Sequence, residues 1–153
     1  VKVGVTRESQ IPTRWIDQGA TFALPIARTK NRYEAGIIEA ELKKHIPDKT
    51  NWRKMLQDER EDNLDLLDFR NKIEHLFPKE SKMFAIHEED IWRIDFPYTA
   101  PEKISAFTLD KVPNFEGILK GVKGQYLHFE GDLFMNIRNH EGYVIELKIE
   151  KSI

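Results

Sequence analysis

The chain has 153 residues, of which 40% are hydrophobic and 33% are charged, a composition typical of a soluble globular protein. With 24 lysines and arginines against 26 aspartates and glutamates, its net charge of -2 does not favour a polyanionic partner, so contact with nucleic acid requires a local basic patch. The absence of cysteine excludes disulfides, thiolate zinc sites and a cysteine nucleophile, and without a long apolar run or a signal peptide we expect a cytoplasmic protein with no membrane partner.

The first predicted element is a strand at residues 1–5, where β-branched and small residues alternate. Because Val1 already lies inside this pattern, we expect a natural N-terminal part to be missing from the chain. The strand would then present an unpaired edge, which we expect to pair either with a second copy, forming a homodimer, or with the β half of the chain. Residues 9–15 predict a turn that leads into a short helix, and residues 21–27 predict a second strand.

The clearest helix begins after Asn31, which can cap it, and Glu34 completes a capping box three residues later. Glu39 falls among the apolar residues that share one face at helical spacing, which are Ala35, Ile38, Leu42 and Ile46. Two further helices are predicted, one capped by Thr50 and one over residues 66–77 that stops before a proline.

After about residue 80 the pattern changes to strands separated by turns that contain glycine. The strand-like segments are residues 91–96, 104–109, 117–129, 133–138 and 143–149. The sequence therefore predicts an α+β fold, with a small α/β domain at residues 1–79 and a mostly β domain at residues 80–153 packed against it. We expect the second domain to be a mostly antiparallel curled sheet or partial barrel.

Glu39 and the arginines near the N-terminus are the candidates for chemistry. A carboxylate within an apolar stripe requires a cation or a hydrogen-bond donor to offset its desolvation. Either Mg²⁺ or Mn²⁺ would meet this need, and so would an ion pair with Arg14 or Arg7. Gly4 allows a phosphate to approach the backbone closely, and an arginine offers a planar donor fork suited to phosphate. The residues alone leave both alternatives open.

This stretch resembles the GIY-YIG nuclease superfamily. Three segments, Lys2-Val3-Gly4-Val5-Thr6-Arg7, Arg14-Trp15 and Ala35…Glu39…Leu42, are similar to its second strand, first helix and glutamate helix, in the branch whose second signature reads Lys-Ile-Gly. On this resemblance the first strand of the domain would precede Val1. Further segments are Asn51-Trp52-Arg53-Lys54-Met55, Gly121-Val122-Lys123-Gly124-Gln125-Tyr126-Leu127 and Asn136-Ile137-Arg138. With these included, the chain over its full length resembles an uncharacterised conserved microbial family, domain of unknown function 2797.

The GIY-YIG resemblance implies metal-assisted phosphodiester hydrolysis. Glu39 would bind one divalent metal ion, Mg²⁺ or Mn²⁺, which polarises a phosphoryl oxygen. Arg14 would stabilise the phosphate, and Arg7 and Lys2 would assist it. No organic cofactor is expected.

Basic and aromatic residues also mix in the β half. The residues predicted to bind nucleic acid there are Lys120, Lys123, Tyr126 and Arg138. On a curled sheet, such a mixture stacks bases and neutralises phosphates. The acidic neighbours Glu130 and Glu141 favour the alternative of an ordinary solvated face.

The sequence therefore predicts a nucleic-acid-processing protein that acts on DNA or RNA, with metal-dependent phosphodiester hydrolysis as its activity. One alternative is a catalytically inactive module that binds nucleic acid through the β half. The other is a structural or protein-interaction domain, in which Glu39 only pairs with Arg14.

Overall fold

A computed structural model describes residues 1–47, 49–58 and 65–150 of the protein. Residues 151–153 of the second predicted domain lie outside this part. The described α-helices are Thr13–Asp17 (α1), Arg32–Leu42 (α2), Trp52–Leu56 (α3) and Leu66–Glu74 (α4). The described strands are Phe22–Ala23 (β1), Trp92–Arg93 (β2), Ser105–Phe107 (β3), Leu119–Lys123 (β4), Tyr126–Phe129 (β5) and Leu133–Asn136 (β6). Short 3₁₀ turns lie at Glu8–Gln10, Lys79–Phe84 and Ile137–His140. The predicted α+β class is confirmed.

The strands form two sheets. β1 and β2 pair antiparallel, with Phe22 opposite Arg93. The larger sheet has the order β3-β6-β5-β4, in which β3 runs parallel to β6 and the other neighbours are antiparallel. Neither sheet is closed or curled in the described part of the chain, so the predicted curled sheet or partial barrel is wrong. Four short strands are too few to close on themselves.

Two of the predicted strands do not form. Residues 1–5 and 143–149 have no regular secondary structure, although both alternate as strands do. In the first segment, Val3 donates its backbone N–H to the Pro47 carbonyl at 3.2 Å and packs against the helical core. Alternation alone does not make a strand, because a strand also needs a neighbouring strand with which its backbone groups can pair along a ladder. Pairing of two copies through residues 1–5 stays a prediction.

The helical core lies between α2, α4 and the segments beside them. Asn31 Oδ1 accepts a hydrogen bond from the Glu34 N–H at 3.0 Å, which confirms the predicted cap. The Glu34 carboxylate reaches back to the Lys30 N–H at 2.9 Å, one residue before the position that a standard capping box would use. The predicted apolar face of α2 is largely confirmed, since the buried cluster consists of Ile38, Leu42, Ile46, Ile73 and Phe77.

Backbone pairing links the two predicted domains. The β1–β2 pair joins residues from either side of the predicted boundary at 79/80. Ala27 bridges Ala85, and the Ile86 N–H donates to the Ile26 carbonyl at 3.1 Å. The boundary itself stays a prediction. None of the helices in the described part is long and apolar enough to cross a membrane.

Candidate nucleic-acid interface

Helix α3 lies over one face of the β4–β5 hairpin and brings the candidate site together. Lys123 and Tyr126 are opposite each other in the register of these strands, so their side chains share a face of the sheet. Trp52, at the start of α3, stacks on Tyr126, and Asp58, just beyond its end, pairs with Lys123. Each end of α3 therefore borders a cavity.

The first cavity is the aromatic pocket, at the start of α3. The Trp52 and Tyr126 rings lie almost parallel, at 9°, with their centroids 5.6 Å apart. The Arg53 guanidinium carbon lies 4.2 Å from the centroid of the Trp52 ring, which is a cation–π contact. The cavity has a volume of about 200 Å³ and is lined by residues that include Trp52, Tyr126, Thr108, Lys111, Asn136 and Asn139. The cavity is thus bordered by two aromatic rings, the ammonium group of Lys111 and the amides of Asn136 and Asn139.

Local hydrogen bonds hold the rim of the aromatic pocket in place. Asn51 Oδ1 accepts from the Lys54 N–H at 3.3 Å and caps α3, one residue after the predicted cap at Thr50. His140 Nε2 accepts from the Leu109 N–H at 2.9 Å, so its Nδ1 carries the proton and donates to the Asn136 carbonyl at 2.9 Å. This imidazole links the chain after β3 to the end of β6, on either side of the pocket.

The second cavity is the lysine pocket, at the end of α3. It has a volume of about 130 Å³ and is lined in part by Thr21, Asp58, Asp95, Tyr98 and Lys123. Lys123 Nζ lies 2.8 Å from Asp58 Oδ1, and the lysine side chain is only 4% exposed. Asp58 adopts a φ of 52°, in the left-handed region where a side chain other than glycine is uncommon. The charge of Lys123 is therefore matched inside the protein and does not face solvent.

Aromatic groups surround this ion pair. The Tyr98 hydroxyl donates to the Leu56 carbonyl at 2.6 Å, and Lys123 Nζ lies 5.4 Å from the centroid of the Tyr98 ring. Burial raises the pKa of Tyr98 far above its ordinary value, and the negative charges of Asp58 and Asp132 add to this effect. The phenol therefore stays protonated and remains a hydrogen-bond donor.

His128 packs behind Tyr98 on the same face of the sheet. Its ring stacks on Phe134 at 7°, with the centroids 4.4 Å apart, and Nε2 lies 3.4 Å from Asp132 Oδ1. Nδ1 is buried without a hydrogen-bond partner among the described residues. This histidine forms part of the packing beneath the lysine pocket, and its Nδ1 lone pair is a buried polar group without compensation.

The predicted catalytic residues occupy separate places. Glu39 forms an ion pair with Lys43, one helical turn away at 3.4 Å, and its side chain is 25% exposed. Arg7 precedes the first 3₁₀ turn and Arg14 lies on α1, and neither forms an ion pair with another described residue. Lys2 is half-buried and directly precedes Val3, which packs against the helical core. In residues 1–47, 49–58 and 65–150, no three His, Asp or Glu side chains form a group that could hold a metal ion. The metal role of Glu39 stays a prediction.

The residues predicted to bind nucleic acid lie in different environments. Lys123 is buried, and Lys120 lies across the hairpin from Glu130 with 3.7 Å between the charged atoms. Tyr126 lines the aromatic pocket, and Arg138 is exposed in the turn next to Asn139. No binding role was predicted from the sequence for Trp52, Arg53, Lys111 or the two asparagines, because no local motif marks them.

A family model described as "Protein of unknown function (DUF2797)" matches residues 1–145 of the chain. Neither the curated proteins nor the solved structures include a match. The resemblance to domain of unknown function 2797 is thereby confirmed. The resemblance to the GIY-YIG superfamily receives no support from these comparisons and stays a prediction.

Proposed function

The chain belongs to the DUF2797 family of proteins of unknown function, and we propose that it binds single-stranded nucleic acid at the aromatic pocket. The observation that carries this proposal is the parallel pair of Trp52 and Tyr126 at the wall of an open cavity. Binding, without a commitment to catalysis, is one of the alternatives that the sequence leaves open.

The chemistry of the pocket suits an unpaired base. A base has a flat face that stacks on tyrosine or tryptophan, whatever its identity. Its edge carries donors and acceptors, which the amides of Asn136 and Asn139 can match. A base inside a duplex has both faces covered, so the proposal is specific to single strands.

The charges around the pocket suit the backbone of the same strand. Arg53, Lys111 and Arg138 lie on or beside the pocket wall and are all exposed. They supply a local positive surface on a chain whose net charge is -2. Because so few phosphates would be neutralised, we expect moderate affinity that falls with added salt.

Hydrolysis is not part of this proposal. Glu39 pairs with Lys43 on the surface of α2, and none of the described contacts joins it to Arg14. A role for Glu39 with Mg²⁺ or Mn²⁺ therefore rests on the GIY-YIG resemblance alone. Binding at the aromatic pocket requires neither ion.

An NMR titration tests the proposal with a control inside the molecule. The chain has three tryptophans, so it gives three indole N–H signals, which single Trp→Phe variants assign. On addition of a short DNA or RNA strand, we expect the Trp52 signal to shift and the Trp15 and Trp92 signals to stay. Equal shifts of all three, or none at any strand concentration, would contradict the proposal.

A further inference from the structure

Residues 143–149 form an exposed segment that alternates like a strand without belonging to a sheet. Tyr143 fixes its start, because its N–H donates to the His140 carbonyl at 3.1 Å and its hydroxyl donates to Asp110. From residue 144 to residue 150, no backbone hydrogen bond to another described residue is formed. Ile145, Leu147 and Ile149 are 59%, 72% and 80% exposed. The segment therefore presents apolar side chains and unpaired backbone groups to solvent.

We propose that this segment pairs with the same segment of a second copy of the chain, antiparallel and centred on Leu147. Within one copy Lys148 Nζ lies 3.3 Å from Glu146 Oε1, and because these side chains are 81% and 79% exposed, the same charges are accessible to a second copy. With Leu147 opposite itself, Glu146 of each copy faces Lys148 of the other, and Ile145 faces Ile149. Opposite charges directly across an antiparallel pair stabilise it, whereas a parallel arrangement in the same register would place Glu146 on Glu146.

The arrangement is two-fold symmetric, as contacts between identical chains commonly are. It also supplies hydrogen-bond partners for the backbone groups of residues 144–149, which have none among the described residues of a single copy. Odd-numbered residues point to one face of the pair and even-numbered residues to the other. Ile145, Leu147 and Ile149 of both copies therefore gather on one face, and Glu146 and Lys148 lie on the other.

A contact between two short segments is small, so the dimer is weak and a covalent trap is the suitable measurement. The chain contains no cysteine, so a single introduced thiol reports only its own position. Leu147→Cys places two thiols opposite each other in the proposed register, at a separation that a disulfide can span. We expect this variant to form disulfide-linked dimers under mild oxidation at least ten-fold faster than Tyr33→Cys, an exposed α2 position that reports random collision.

Further variants test the register and the charges. Two copies of Glu146→Cys should form a disulfide with each other slowly. Glu146→Cys mixed with Lys148→Cys should form the mixed disulfide quickly. Adding Glu146→Lys to Leu147→Cys should slow linkage by placing like charges across the pair, and adding Lys148→Glu as well should restore it. Fast linkage of Glu146→Cys with itself would overturn the antiparallel register. Linkage of Leu147→Cys at the Tyr33→Cys rate, or rates unaffected by the charge changes, would overturn the proposal.

Discussion

Lys123 and Tyr126 lie directly opposite each other on β4 and β5, yet they have different surroundings. Tyr126 stacks on Trp52 at the open aromatic pocket, whereas Lys123 is buried against Asp58. Both side chains share one face of the sheet, and α3 separates their environments by placing one end over each. The hairpin thus combines one wall of an open cavity with an internal ion pair that joins it to the end of α3.

The ion pair between Lys123 and Asp58 is expected to matter for stability. Asp58→Asn keeps the size of the side chain and tolerates the left-handed backbone, but it leaves a buried ammonium group without this carboxylate. We expect the free energy of unfolding to fall by about 2–4 kcal/mol, because a broken buried pair leaves a desolvated charge. Urea denaturation measures the change.

Two controls accompany this variant. Glu130→Gln removes the exposed partner of Lys120 and should change stability by at most about 0.5 kcal/mol. Adding Lys123→Met to Asp58→Asn removes the buried charge and should recover most of the loss. If the double variant is no more stable than Asp58→Asn alone, the buried charge is not the cause.

Gly124 brings the β4–β5 turn against the chain after α1. It adopts a φ of 58°, and a Cβ there would lie 2.9 Å from the Gly19 nitrogen and 3.1 Å from the Asp17 carbonyl oxygen. Gly131 has a similar φ of 77°, with nothing within 4 Å of its Cβ position. Gly131→Ala should lower the free energy of unfolding by about 1–2 kcal/mol, because alanine is strained in this backbone conformation. Gly124→Ala should lower it by at least about 1–3 kcal/mol more, because backbone atoms must also move apart. Equal losses in thermal denaturation would contradict the close approach.

The raised pKa of Tyr98 predicts a loss of stability in alkali. The unfolded chain releases this proton near pH 10, whereas burial keeps the hydroxyl protonated to higher pH in the folded protein. The unfolded state therefore binds fewer protons above this pH, and the free energy of unfolding falls as pH rises through it. Tyr98→Phe should reduce the difference in stability between about pH 9 and about pH 11. Tyr33→Phe alters an exposed tyrosine, and its free energy of unfolding should fall over this pH range as that of the wild type does. If the free energy of unfolding of Tyr98→Phe falls as much as that of the wild type, Tyr98 is not the group responsible.

Glu39→Gln separates binding from the predicted hydrolysis. The partly exposed pair with Lys43 contributes little, so we expect stability within about 0.5 kcal/mol of wild type and unchanged affinity for nucleic acid. Circular dichroism and a binding titration check both expectations. Cleavage that depends on Mg²⁺ or Mn²⁺ in the wild type and disappears in this folded variant would instead support the metal role that the GIY-YIG resemblance implies.

Local signals in the sequence predicted the helices better than the strands. The Asn31 cap and the apolar spacing of Ile38 and Leu42 act within one helix, so α2 forms close to where they place it. Residues 1–5 and 143–149 carry equally regular alternation but find no ladder partner among the described residues. Strand formation depends on partners distant in the sequence, and alternation does not specify them.

The candidate site was only partly predictable for the same reason. Tyr126 and Lys123 were identified from a local mixture of basic and aromatic residues. Their different environments depend on Trp52 and Asp58, which precede them by more than sixty positions in the sequence. No motif marks such a pairing, because the contact arises only when α3 packs on the hairpin.

The affinity of Trp52→Leu for a fluorescently labelled single strand, measured beside Trp92→Leu, tests the central claim most directly. Trp92 is 44% exposed and lies outside the aromatic pocket, so it controls for the loss of an indole. Because stacking on an aromatic side chain contributes about 1–3 kcal/mol per base, we expect the dissociation constant of Trp52→Leu to rise about 5- to 150-fold. Trp92→Leu should bind as the wild type does. Equal affinity of both folded variants and the wild type, or no binding by the wild type at low salt, would contradict the account.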